Sequence, residues 1–152
     1  MTGFYLEDFA VDQVIETAAR TVGDGLVDSY AGVTGDFSYV HIDAERAAAG
    51  IFGERVAHGL LSLSLLQGLL WQTGYLADTG LATIGWDKVR FPAPLRFGDT
   101  VRGRIVITEA RPSRSRPETG IVVESCTLLN QDDEVVLTAE HASLVRRRPV
   151  GD

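Results

Sequence analysis

Basic charge, cysteine and long apolar runs are all scarce in this chain. Fourteen lysines and arginines face 21 acids across 152 residues, a net charge of -7, and that balance disfavours non-specific contact with nucleic acid. The single cysteine, Cys126, rules out an internal disulfide, and no Cys/His group has zinc-site spacing, so no metal is expected and a reducing, cytoplasmic compartment is. The first twelve residues, MTGFYLEDFAVD, hold acids but no lysine or arginine and so lack the basic start and apolar run of a secretory signal. The longest apolar stretch, Leu60 to Trp71, is interrupted by Ser62, Ser64, Gln67 and Gly68 and is too short to span a bilayer. No membrane contact is expected.

What is present is the make-up of a folded domain. Hydrophobic residues are 45% and charged residues 23% of the chain, as in globular proteins. The length suits one domain, residues 1–152, burying about two-thirds of its unfolded surface. No repeat, low-complexity tract or linker divides it.

The period of the hydrophobic pattern changes along the chain. DGLVDSYAGV, residues 24–33, suits a short helix with Asp24 as N-cap and Gly35 placed to end it. DAERAAAG, Asp43 to Gly50, suits another, with Asp43 capping and Gly50 at the C-terminal cap. From His58 to about Tyr75, leucines cover nearly the whole circumference of the longest predicted helix, a pattern that calls for burial on all sides. From Leu81 onward strands are expected. VRGRIVIT, residues 101–108, alternates Val101, Gly103, Ile105 and Ile107 against Arg102, Arg104, Val106 and Thr108. GIVVESCTLL (120–129) and EVVLTAEHASLV (134–145) flank NQDD, a hairpin-type turn. Helices first and antiparallel strands afterwards predict an α+β domain whose sheet wraps the buried helix.

Two places carry groups able to move protons. In TGDFSYVH, Asp36 and His41 flank FSYV in an irregular segment between two short helices, where both a reactive pair and solvated loop side chains are found. In AHG, His58 and Gly59 sit at the predicted start of the buried helix, where backbone N–H groups are unpaired and the dipole is positive. A glycine there lets a ligand oxygen approach the main chain, or permits tight packing. A carboxylate, an imidazole and an N–H donor for developing negative charge suit addition of water to an activated double bond.

TGDFSYVHIDAERAAAGIFGERVAHGLLSLSLL resembles the signature of the MaoC-like dehydratases, the family that includes the (R)-specific enoyl-CoA hydratases. There an Asp is followed five residues on by His, and later by a His-Gly dipeptide. KVRFPAPLRFGDTV, Lys88 to Val101, is similar to the family's second block, and the FYLEDF start is family-like, so the resemblance spans most of the chain. It implies a hotdog fold, an antiparallel sheet around a long central helix, working as a homodimer or higher oligomer. It further implies that Asp36 and His41 are the catalytic pair and that the Gly59 N–H donates to the thioester carbonyl. His58 would lie beside the substrate. Ser38 and Tyr39 stand where the commonest motif has Asn-Pro, next to the substrate pocket.

The implied substrate is an acyl thioester of coenzyme A or phosphopantetheine, converted between trans-2-enoyl and (R)-3-hydroxyacyl forms with no other cofactor. Lys88 and Arg90 are candidates for the phosphates of the thiol carrier. Arg111, Arg114 and Arg116 read as a solvated loop between strands or as further phosphate contacts. Arg146 to Arg148 read as a solubilising tail and His141 as a structural residue of the last strand. Ser62 and Ser64 have no partner that would make either a nucleophile. Two other functions fit the same fold. A thioesterase of this type commonly needs a carboxylate on or just before the central helix, and residues 58–77 have no Asp or Glu. A non-catalytic acyl-thioester binding protein would have no need of Asp36 and His41.

Overall fold

The computed structural model describes residues 3–149. One sheet of five antiparallel strands runs in the order β1-β3-β4-β5-β2. These strands are β1 (Val14–Thr21), β2 (Gly80–Arg90), β3 (Thr100–Pro112), β4 (Thr119–Leu129) and β5 (Val135–Arg146). Between β1 and β2 lie α1 (Asp24–Thr34), α2 (Tyr39–Ile42), α3 (Ala44–Ala48) and α4 (Gly59–Gln72). The inner face of the sheet packs on α4, which is the α+β hotdog arrangement. No helix among the described residues is long and apolar enough to cross a membrane.

β1 precedes the helices, which corrects the expected order of helices first and strands afterwards. Its period is masked because it is an edge strand, exposed along most of its length, and edge strands need no clean apolar face. The alternation in VRGRIVIT is as expected, with Val101, Gly103, Ile105 and Ile107 all buried. Gly103 lies under the helix: a Cβ there would stand 2.9 Å from Leu66 Cδ1. The NQDD turn is organised by Asn130, whose Oδ1 accepts the N–H groups of Asp132 and Glu134, both at 3.0 Å.

The central helix ends at Gln72, short of the expected Tyr75, and it is not buried all round. Leu61, Leu65, Leu66, Leu69 and Leu70 face the sheet, each contributing about 1.5–3 kcal/mol by burial. Leu60 and Trp71, each 60% exposed, lie on an uncovered flank. Two cap assignments also change. Gly23, not Asp24, is the N-cap of α1, and Asp24 instead pairs with Arg55 at 2.7 Å. Ala49 rather than Gly50 caps α3, while Asp43 does cap its start by accepting from the Arg46 N–H.

The C-terminal arginines are more than a solubilising tail. Arg147 pairs with Glu7 at 3.0 Å and Arg148 with Asp8 at 2.5 Å, tying the end of the chain to its beginning. Arg111 lies within β3 rather than in the loop and pairs with Glu109.

A polar cluster is sealed inside the core beyond the C-terminal end of α4. Glu124 and His141 are opposite each other on β4 and β5, with Nδ1 and Oε2 2.8 Å apart. The Tyr75 hydroxyl donates to the other Glu124 oxygen at 2.8 Å, and the Trp86 ring stacks on His141 at 4.2 Å. Burial, then the Glu124 carboxylate, pushes the Tyr75 phenol far above its ordinary pKa, so it stays a donor. Burial likewise raises the Cys126 thiol, which leaves it chemically inert. Removing Glu124 leaves two buried partners, His141 Nδ1 and the Tyr75 hydroxyl, without their acceptor. Glu124→Ala is therefore expected to lower unfolding free energy by about 1–3 kcal/mol for each stranded group in urea denaturation.

Candidate active site

α4 begins at the wall of a cavity, and among the described residues no side chain caps its first N–H groups. His58 is the N-cap but makes no side-chain cap bond, and the first turn contains no acid. Leu61 and Ser62 donate back to the His58 carbonyl, whereas the N–H groups of Gly59 and Leu60 precede the first intrahelical bond. Gly59 is exposed although His58 and Ala57 before it are buried. An oxygen carrying negative charge is favoured at such a place.

The segment carrying Asp36 and His41 is built by local hydrogen bonds. Gly35 ends α1 in the left-handed conformation, φ 76°, a geometry glycine adopts without strain. The Asp36 N–H donates to Thr34 Oγ1 at 3.3 Å, and the Ser38 N–H donates to Asp36 Oδ1 at 3.2 Å. The chain then makes the single turn of α2, so His41 stands on a short helix and not in an irregular loop. His41 Nδ1 lies 2.7 Å from the Val56 carbonyl oxygen. A carbonyl only accepts, so Nδ1 carries the proton and Nε2 of the neutral ring is a free acceptor.

His58 holds these pieces from behind. Its Nε2 lies 2.9 Å from the Asp36 carbonyl oxygen and 4.0 Å from Asp36 Oδ2. Its ring packs on that of His41, with centroids 3.8 Å apart and planes 30° apart. One donor or acceptor atom from each of Asp36, His41 and His58 lies within 4.8 Å of the other two. His41 Nδ1 and His58 Nε2 each face a main-chain carbonyl oxygen, so these two nitrogens hold protons and are not available as metal ligands.

Two adjoining cavities share His41, Gly59 and Phe91. One, about 280 Å³, also exposes Asp36 and His58. The other, about 270 Å³, is walled by Phe52, Val56, Leu95 and Val136, with Ser62 at its polar edge. A larger hollow of about 680 Å³ lies among Tyr5, Arg116 and Arg146 to Arg148. It contains no histidine and is not the candidate site.

The structure thus brings Asp36, His41, His58 and Gly59 together. Ser38 and Tyr39 line neither site cavity: Ser38 contributes its backbone N–H, and the Tyr39 ring lies under the Arg46 guanidinium at 4.3 Å. Lys88 pairs with Glu140 at 2.6 Å and Arg90 bonds to the Val89 carbonyl, both exposed and outside the site cavities. Ser62 and Ser64 donate to the Gly59 and Leu60 carbonyls of their own helix. The sequence reading missed Phe91, Tyr30 and the Val56 carbonyl. Phe91 opens the FPAPLRFGD block, and the proline-rich run after it was the available signal.

The hotdog sheet thus carries an acid and two imidazoles beside the N-terminus of its central helix. The profile of the MaoC like domain matches residues 8–127, and the chain belongs to that family. It is 45% identical over 83 residues to 3-hydroxyacyl-thioester dehydratase Z of Mycobacterium tuberculosis, covering 54% of this chain and 55% of that one. The chain thus spans about half the length of that curated relative. It is 31% identical over 148 residues to the 3-hydroxybutyryl-CoA dehydratase of Methylorubrum extorquens, covering 97% and 88% of the two chains. The crystal structure of the MaoC-like dehydratase from Rhodospirillum rubrum superposes with a TM-score of 0.88 at 32% identity, over 97% of this chain and all of that one (100%).

Gly59 also meets Phe91 closely: a Cβ would stand 3.3 Å from the ring. Gly59→Ala is expected to keep folding stability within about 1 kcal/mol, because the gain from a stiffer unfolded chain offsets the tighter contact. The Phe91 ring should move by a few tenths of an ångström. Urea denaturation and a crystal structure of the variant check both.

Proposed function

We propose that the chain, acting as one domain over residues 1–152, is a hydratase/dehydratase. It adds water reversibly to a trans-2-enoyl thioester to give an (R)-3-hydroxyacyl thioester. The observation that carries this reading is the approach of an Asp36 oxygen and a His41 ring nitrogen to within 4.8 Å. One water at ordinary hydrogen-bond distance, about 2.6–3.2 Å, bridges two groups so placed.

The chemistry follows from where charge must go. C3 of the enoyl thioester accepts water only as electron density moves to the carbonyl oxygen. The Gly59 N–H donates to that oxygen, and one such donor typically lowers a barrier by about 3–4 kcal/mol. Asp36 holds the water. His41 Nε2 takes a proton as the water oxygen bonds to C3, and returns it to C2 on the same face. Addition is then syn, and protons balance with no other reactant. Dehydration is the reverse of these steps. In this scheme the Asp36 carboxylate also stabilises the transient imidazolium.

Support for a coenzyme A thioester comes from the similarity to the 3-hydroxybutyryl-CoA dehydratase of Methylorubrum extorquens. The apolar cavity of about 270 Å³ is at the small end of ligand pockets, about 300–1,000 Å³, which favours a short acyl chain. The absence of an acid from the first turn of α4 counts against hydrolysis of the thioester. A cytoplasmic location fits a chain whose only cysteine is a free thiol.

The working unit we propose is a homodimer joined along β2. This edge strand exposes Leu81, Ile84 (55%) and, just past its end, Phe91 (45%), beside Leu60 and Trp71 of α4. Edge strands with apolar faces pair with other chains. Light scattering should give twice 16.5 kDa, and Ile84→Lys should shift the population toward monomer.

The activity is tested by loss of enoyl-thioester absorbance on crotonyl-CoA and on a long-chain trans-2-enoyl-CoA. Wild type should turn over the short substrate faster. Asp36→Asn and His41→Gln should each fall by about 10²–10⁴-fold with unchanged circular dichroism. A wild type that binds the thioesters without turning them over would make the protein a non-catalytic acyl-thioester binder.

A further inference from the structure

His58 moves no proton in this scheme, yet it is the side chain on which the reacting groups converge. Its side chain is 3% exposed, and three contacts account for its placement. Nε2 faces the Asp36 carbonyl oxygen at 2.9 Å, so that nitrogen must carry the proton and donate. One neighbouring ring is His41, at 3.8 Å between centroids. The other is Tyr30 of α1, at 5.0 Å. Its backbone is the N-cap of α4, immediately before Gly59.

Without His58 the Asp36 peptide has little to hold it. Its remaining local bonds, from its N–H to Thr34, from the Phe37 N–H to the Gly35 carbonyl and from the Ser38 N–H to its carboxylate, are 3.3, 3.1 and 3.2 Å long and lie in an exposed stretch. The Asp36 side chain is 53% exposed, so burial does not fix it either. The buried Nδ1 of His58 has no hydrogen-bond partner among the described residues. A histidine that leaves one buried nitrogen unpaired is held by what its other nitrogen and its ring do.

We propose that His58 is a positioning residue: its Nε2–H locks the Asp36 backbone while its ring backs the His41 imidazole, fixing carboxylate, imidazole and helix start in one frame. This rests on the hydratase reading and goes beyond it, because the residue acts through Asp36 and His41 and not on the substrate. A displacement of about 1 Å in such a frame is worth on the order of 10²-fold in rate.

The test separates the donor from the ring. His58→Phe keeps an aromatic ring and removes the N–H; His58→Gln offers an amide N–H in its place. On crotonyl-CoA, His58→Phe should lower kcat by on the order of 10²-fold with KM little changed, and His58→Gln should recover at least a tenth of wild-type kcat. Backbone order parameters of residues 35–38, from nitrogen-15 relaxation, should fall in His58→Phe and not in His58→Gln. Equal kcat losses in the two variants, a loss confined to KM, or order parameters unchanged in His58→Phe would each overturn the assignment. A wild type inert on every enoyl thioester would refute the hydratase reading, and the order parameters alone would then decide the role of His58. If His58→Phe does not fold, the comparison is of His58→Gln with His58→Ala by the same two measurements.

Discussion

A helix whose first turn opens on a cavity offers donors that no side chain of the helix start caps, and most of what positions this site is arranged around that fact. The sheet holds α4 through its leucine face, so the first turn stays beside the cavity. His58 ends the preceding chain without capping it, and no acid lies near enough in sequence to cancel the dipole. The N–H end of the helix at Gly59 therefore carries a partial positive charge at the wall of the two cavities. Around it the chain arranges an acid and an imidazole whose proton is assigned by a backbone carbonyl.

The far end of the fold has the opposite character. There Glu124, His141 and Tyr75 are paired, and Glu124 and His141 are sealed from water. Satisfied polar groups in a low-dielectric core are rigid, and costly to disturb singly. The surface pairs of Arg147 and Arg148 with Glu7 and Asp8 add little energy, being exposed, but they close the chain ends over the sheet. Rigidity is concentrated away from the chemistry, while the site end carries the exposed Asp36 loop.

How far the sequence predicts this depends on whether each signal is local. The alternation of β3, the Asn130 turn and the Asp43 cap arise from neighbouring residues and are legible there. Asp36, His41 and the His58-Gly59 pair were legible through spacing and family resemblance. β1 was not, because an edge strand lacks a buried face to impose a period. The exposure of Leu60 and Trp71 was not, since a continuous leucine run does not reveal that a sheet covers only part of the circumference. The inward role of His58 and the close seat of Phe91 against Gly59 depend on contacts 22 and 32 residues apart in sequence, which no local pattern encodes. Tyr39, read as a pocket residue, was drawn away by the guanidinium of Arg46.

The bonds that orient both histidines of the site end on main-chain carbonyls, of Val56 and of Asp36. A carbonyl survives every point substitution at its own position. Drift at residue 56 or 36 can therefore alter packing or abolish chemistry without deleting the acceptor itself. The tautomer of each imidazole is inherited with the path of the backbone rather than with any one partner side chain. Substitutions that keep this path but exchange the surrounding side chains leave the acceptors of both rings in place.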